Sequence, residues 1–153
     1  MQLKFRDILR EPEFINSVRH EIKHYPAGAT IIEEGSAGTE IYLILEGATE
    51  IYAAVDHLGP PGRTTEIARS NADAILGELS LFEHQPRTAS VVATCDCQVA
   101  VIDGKSLESF MDRNPGLGYW ILRDIFDQVV NRMRETTLRS NAITALYLND
   151  YEA

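Results

Sequence analysis

Between His20 and Asp103 the chain alternates apolar and polar positions in brief runs: "EIKHY", "TIIEEG", "EIYLILEG", "ATEIYAAV", "TTEIARS", "TASVVATC" and "CQVAVID". Each run is closed by Gly, Pro, Asn or Asp, and each is rich in β-branched and aromatic residues, which predicts a strand. Strands this short and this regularly punctuated predict an antiparallel sandwich or barrel. On either side the period becomes helical. Over residues 2–19 the possible inward positions are Leu3, Ile8, Leu9, Phe14, Ile15 and Val18, interrupted near Pro12, so short helices are expected. After Asp103 a helix is expected over residues 105–113, then a longer one from Asn114-Pro115, where proline suits a first helical position. The order is helix, β-body, helix.

The breaks between runs carry their own expectations. Gly35 and Gly38 in "EEGSAG" are expected at positive φ, Gly47 at a sharp bend between two strands, and "DHLGPPGRT", residues 56–64, in an exposed hairpin loop. In the last helix Tyr119, Leu122, Phe126, Val129, Met133 and Thr136 recur by three and four, a seam of the coiled-coil kind, while Ile121 and Ile125 mark a second apolar face. One face can lie on the β-body and leave the other for a partner; the alternative is one broad stripe packed inside a monomer. The chain divides into an N-terminal helical segment, 1–19, a body with its closing helix, 20–138, and an extension, 139–153.

A chain of 153 residues suits one domain that buries about 70% of its unfolded surface without disulfide or metal. No apolar run approaches the ~20 residues of a membrane span, and the charged "MQLKFRDILREPEF" has no signal-peptide core, so a cytoplasmic protein is expected. Cys95 and Cys97 are the only cysteines; as C-x-C they are read as buried or half-buried thiols at a tight turn, because none of the four histidines repeats at ligand spacing. A net charge of -9 with scattered Lys and Arg argues against direct nucleic-acid binding. No catalytic motif is present, neither Gly-x-Ser-x-Gly, nor His-Glu-x-x-His, nor a phosphate loop, so no enzyme activity is expected.

The stretch "ILGELSLFEHQPRTASVV", residues 75–92, sets Glu78 and Arg87 inside a run that otherwise reads as core. Gly77 precedes an expected single helical turn, whose free N–H groups attract an anion. Arg87, at the head of the next strand, can aim its planar fork at the same anion, each charge-assisted bond contributing ~1.5–3 kcal/mol. A carboxylate beside a phosphate repels it, so Glu78 is expected to accept from a neighbouring hydroxyl such as a ribose 2′-OH. The combination describes a sugar-phosphate ligand; the competing reading is a Glu78–Arg87 salt bridge closing the site.

"GELSLFEHQPRTASV" closely resembles the phosphate-binding cassette of the cyclic nucleotide-binding domain family: Gly-Glu-apolar-small-Leu, a short gap, then Pro-Arg-Ser/Thr-Ala. The similarity extends over roughly residues 20–138, through "YPAGATIIEEGSAGTEIYLILEGATEIY" and "NPGLGYWILRDIFDQVVNRMRE", and looks like a regulatory domain of the catabolite activator type. The resemblance implies a mainly β fold, an antiparallel double-stranded β-helix or jelly-roll sandwich followed by two C-terminal helices, with cyclic AMP or cyclic GMP as ligand and no other cofactor. By the resemblance the cassette residues Gly77, Glu78, Leu79, Ser80, Pro86, Arg87, Thr88 and Ala89 bind it. Glu78 would take the ribose 2′-OH, Arg87 the cyclic phosphate, and the amides of Leu79 and Ser80 the phosphate oxygens. Thr88 would add a hydroxyl, Ile67 is a candidate base contact, and Thr136 and Thr137 are in positions similar to hydroxyl residues that reach adenine. The chain departs from the pattern at "ARSNADAILGE", where Ala72 replaces a glycine and Ser70 falls near a base-lining position.

After the closing helix only "SNAITALYLNDYEA" remains, too short and acidic for a helix-turn-helix. The expected function is a non-catalytic sensor that signals through helix 116–137, as a homodimer or on a partner protein. The alternatives are an interaction module of the same fold with a ligand-free pocket, and a regulatory piece of a longer enzyme or channel.

Overall fold

A computed structural model describes residues 2–54 and 64–152, without the side chains of 64, 65 and 139–152. Two short helices, α1 (Phe5–Ile8) and α2 (Pro12–Ser17), lead into β1 (His20–Tyr25), β2 (Thr30–Ile32), β3 (Glu40–Glu46), β4 (Thr49–Ala54) and β5 (Thr64–Ser70). Then come β6 (Ile75–Leu76), a single 3-10 turn over Glu78–Leu81, β7 (Ser90–Ala93), β8 (Cys97–Asp103), α3 (Gly104–Arg113) and α4 (Pro115–Glu152). The strands form two four-stranded sheets, in the orders β1-β8-β3-β6 and β2-β7-β4-β5, with every pairing antiparallel. This is the jelly-roll sandwich with flanking helices that the sequence pattern and the family resemblance implied. The loop expected over 56–64 lies outside the described residues up to Thr64, which opens β5.

The first sheet is covered on both faces, and its central strands read accordingly as near-continuous apolar runs. In β8, Ala100 and Ile102 turn toward the helices, while Cys97 and Val99 turn toward the second sheet. Two apolar clusters result. One joins Ile41, Leu43, Ala100 and Ile102 to Phe5, Ile8, Phe14, Leu107, Phe110, Ile121 and Ile125 of the helices; the other lies between the sheets around Ile31, Ile44, Ile51, Val91 and Val99. Phe14 is the hinge of the helical cluster, its ring meeting Phe5 and Phe110 edge to face at centroid distances of 6.2 and 5.4 Å.

Several local expectations need correcting. Ile15 points to solvent, and Phe5, which the period left out, is fully buried in its place, because α1 and α2 are separate turns and no single helical period runs through both. Gly35 and Gly47 have positive φ, but Gly38 does not; it is small because a Cβ there would lie 2.7 Å from Glu40 Oε2 and 3.2 Å from Arg87 Nη2. Cys97, the first residue of β8, is buried, but Cys95 lies in the bend before that strand and is exposed. The closing helix continues beyond the expected 116–137, to Glu152. Ile121 and Ile125 are buried, and Val129, which the sequence reading set in the other seam, packs partly buried against the same cluster; Tyr119, Leu122, Phe126 and Met133 of that seam are exposed, Phe126 by 66%.

Candidate functional site

A cavity of about 690 Å³ opens between the concave side of the second sheet, the segment from Leu76 to Ala89, and α4. Its volume suits a small organic ligand. Ile32, Ile51, Ala68 and Val91 supply an apolar floor. The rim is charged, with Glu66, Glu78, Glu83, Glu135, Arg87 and Arg132.

Local backbone chemistry puts the charged rim there. Gly77 adopts φ +75, a left-handed conformation that ends β6 and starts the 3-10 turn, so that Glu78 enters the cavity wall. A Cβ on Gly77 would lie 2.7 Å from Arg87 Nη1, and one on Gly38 would press on the same guanidinium. Two glycines thus clear the space that Arg87 fills. With only 7% of its side chain exposed, Arg87 is held by protein acceptors: Nη1 donates to Ser80 Oγ at 2.5 Å and Gly77 O at 3.2 Å, and Nη2 donates to Glu40 O at 2.7 Å. The Glu40 carboxylate is 3.8 Å away, and the Tyr42 ring lies 5.8 Å from the guanidinium carbon. Burial first, then the Glu40 charge, pushes the Tyr42 phenol above its ordinary pKa, with Arg87 opposing.

The Glu78–Arg87 salt bridge that competed as a reading is not formed. Glu78, a buried carboxylate, pairs instead with Arg132 of α4, Oε1 to Nη1 at 3.1 Å. Besides the nearby Ser80 Oγ and Gly77 O that accept from Arg87, each of the two charges is answered by a residue distant in sequence, Arg87 by Glu40 and Glu78 by Arg132. Among the described residues no buried side-chain polar atom lacks a hydrogen-bond partner.

Of the candidate residues, Gly77, Glu78, Leu79, Ser80, Pro86, Arg87, Thr88, Ala89, Ile67 and Thr136 all line this one cavity. Thr137 does not; one position further along α4 turns its side chain about 100° away. Thr136 Oγ1 donates to Arg132 O at 3.0 Å. The amide of Ser80, expected to face a phosphate oxygen, donates within the turn to Gly77 O at 3.2 Å, while the Ser80 hydroxyl accepts from Arg87 Nη1. Ser70 is outside the lining, its hydroxyl bonded to Thr49 Oγ1 at 2.6 Å. The left-handed residue of the β5–β6 turn is Asp73, with φ 72, so Ala72 in place of a glycine causes no strain.

Sequence reasoning missed Glu40, Arg132 and Glu135. The spacing offered only a partial signal for Arg132: Asp124, Gln128, Arg132 and Thr136 recur at intervals of four and so share one face of α4, but Arg123, Asp127, Asn131 and Glu135 recur in the same way. Among the described residues no cluster of three or more His, Cys, Asp or Glu could hold a metal ion, and no helix is long and apolar enough to cross a membrane.

The family model described as "Cyclic nucleotide-binding domain" matches residues 22–114. Among curated proteins the chain is 27% identical over 128 residues to a CRP-like cAMP-activated global transcriptional regulator of Mycobacterium tuberculosis, covering 82% of this chain and 54% of that protein. It is 42% identical over 76 residues to a cAMP-dependent protein kinase regulatory subunit of Aspergillus fumigatus, covering 50% of this chain and 17% of the subunit. The chain therefore spans only about half, or less, of these relatives. Among solved structures, a cyclic nucleotide-binding domain from Methylobacillus flagellatus KT superimposes with a TM-score of 0.70 at 28% identity, covering 78% of this chain and 65% of that one.

Proposed function

Since the chain belongs to the cyclic nucleotide-binding domain family, we propose that its cavity takes a cyclic nucleotide and that the protein is a non-catalytic sensor. The observation that carries this is the placement of Arg87 and Glu78 on one wall of a single cavity with an apolar floor. In this reading the cyclic phosphate takes over the donors of Arg87 that now go to Ser80 Oγ and to the side of Glu40, and Thr88 adds a hydroxyl. Glu78 accepts the ribose 2′-OH; a carboxylate has about four lone-pair sites, so it can do so while keeping Arg132. The base lies along the apolar floor toward Ile67 and Thr136. Cyclic AMP is the ligand named for both curated relatives. Glu66 and Glu135 at the rim are acceptors that suit the amino donors of either base, so cyclic GMP belongs in the same test.

The output would run through α4. Arg132, Glu135 and Thr136 line the cavity on one side of that helix, while Tyr119, Leu122, Phe126 and Met133 are exposed apolar residues suited to a second copy or a partner protein. A ligand that contacts α4 favours one setting of the helix and so changes what the exposed face meets.

A second reading has its own observation. Both charged residues already have protein partners, as in an interaction module whose pocket has no ligand. Calorimetric titration of nucleotide-free protein with cyclic AMP and with cyclic GMP separates the two. Saturable heat at one site per chain is expected; no heat from either compound at millimolar concentration supports the interaction module.

A further inference from the structure

The edge strands of the sandwich are not equally protected. β6 is two residues long, β2 is three and meets β7 through a register shift, and β5 meets β4 through another. Short length and irregular register are ordinary ways of keeping a sheet edge from pairing with another chain. β1 has neither. Its six residues run in unbroken register beside β8, from His20 opposite Ile102 to Tyr25 opposite Cys97, and among the described residues no strand lies on its other side. Glu21, Ile22, Lys23 and His24 are all exposed, Ile22 by 62%. A regular edge strand turns alternate amides and carbonyls outward, and an exposed isoleucine at its middle adds apolar surface for another strand to cover.

The residues about Ile22 say which strand. His20-Glu21-Ile22-Lys23-His24 repeats itself in type about its centre, with the charge reversed. We infer that β1 pairs antiparallel with β1 of a second copy of this chain, about a two-fold axis at Ile22, so that their first sheets form one continuous sheet. In that register Ile22 meets Ile22 of the second copy, Glu21 lies across from its Lys23, Lys23 across from its Glu21, and His20 across from its His24. Residues directly opposite in such a pair must share a face, and these do: Glu21 and Lys23 stand opposite Val101 and Val99 of β8, whereas His20, Ile22 and His24 stand opposite Ile102, Ala100 and Gln98. Within one copy Lys23 Nζ already reaches Glu21 Oε1 at 3.2 Å. Exchanging that exposed pair for two across the axis gives up little, since an ion pair in solvent adds little to stability. Moving the axis to Glu21 or to Lys23 sets that charge against its own copy, so the charges select both register and partner. An isologous contact of this kind closes at two copies. No residue of β1 lines the cavity, so the inference does not depend on the proposed ligand.

Sedimentation velocity on the full chain tests this, over concentrations from about 10 µM to about 1 mM. One strand edge buries less than the ~1,200 Å² that separates weak contacts from stable ones, so a dimer with a midpoint of about 0.1 mM is expected. Glu21→Lys and Lys23→Glu each set like charges across the axis, twice per dimer, and each alone should weaken association about tenfold or more. Both positions are exposed, so both variants should unfold thermally as wild type does. An equimolar mixture of the two variants restores unlike charges at both crossings and should recover the dimer, one chain of each kind. A role confined to one strand cannot produce that recovery, because each variant still carries like charges two residues apart. Wild type that stays monomeric at about 1 mM overturns the inference and leaves the edge to a strand of another protein or to none. A dimer that ignores both charge reversals but is lost in Phe126→Glu overturns it too, since its copies would meet at the exposed face of α4. Weakening by both variants without recovery in the mixture overturns the register and with it the inference.

Discussion

The two apolar clusters share strands β3 and β8 yet are finished differently. The cluster facing the helices is covered by Phe5, Phe14 and Phe110 of α1, α2 and α3 and by Ile121 and Ile125 of α4, whereas the one between the sheets ends at a wall where Ile32, Ile51, Leu76 and Val91 also line the cavity. One half of the molecule spends its apolar surface on cohesion. The other leaves part of it available and surrounds it with buried charge. Stability and recognition are thereby separated, and substitutions should report one or the other according to the cluster they touch.

The largest effect is expected in the closed half. Phe110→Ala deletes a fully buried ring that packs on Phe14 and should cost about 3–5 kcal/mol of stability. Denaturant unfolding measures this, and affinity of the remaining folded protein for cyclic nucleotide should be little altered. Next comes Arg87→Lys in the open half, with the opposite signature. A point charge cannot copy the planar fork, so cyclic-nucleotide binding should weaken by about 3 kcal/mol, roughly a hundredfold, in calorimetry. Equal affinity would contradict the role given to the guanidinium. Gly77→Ala blurs the contrast, since a methyl group there meets a left-handed backbone and Arg87 together. A loss of about 1–2 kcal/mol in stability accompanied by weaker binding is expected, read by thermal shift with and without ligand.

The smallest effect concerns the cap of α3, which carries Phe110 into the closed cluster. Asp103 accepts from the Ser106 amide at 3.0 Å, and Asp103→Ala should cost about 1 kcal/mol. Burial raises the carboxyl's pKa, but the bonds from Ser106 and the charge of Arg19 outweigh it and hold the pKa below the ordinary aspartate value. A depressed folded pKa means that the contribution is present in full above the unfolded value and is lost as pH falls through the folded one. The stability gap between wild type and Asp103→Asn should therefore narrow in acid, below the usual carboxylate range; a gap that stays constant there would remove the ionised cap from the account.

Much of this architecture was legible in local pattern. Period-two runs marked the strands, Gly47 the bend, Pro115 the start of α4, and the Gly77-Glu78 and Pro86-Arg87 pairs the cavity wall, because each depends on backbone geometry or spacing within a few residues. Ile15 and Phe5 were misjudged because a helical period was read across two separate helices, and β6 escaped notice because two residues show no period.

The sequence by itself determined the order of elements, an antiparallel sandwich or barrel, and the short run that carries Glu78 and Arg87, since alternation, turn glycines and a charged pair in an apolar run are properties of the chain as written. Only the tertiary structure decided who answers each buried charge: Glu40 for Arg87, Arg132 for Glu78, and Asp124 for the start of α1. Those partners are 47, 54 and 119 positions apart, and the cost of desolvating a charge is met by whichever group the fold brings within about 3 Å, which spacing along the chain does not specify.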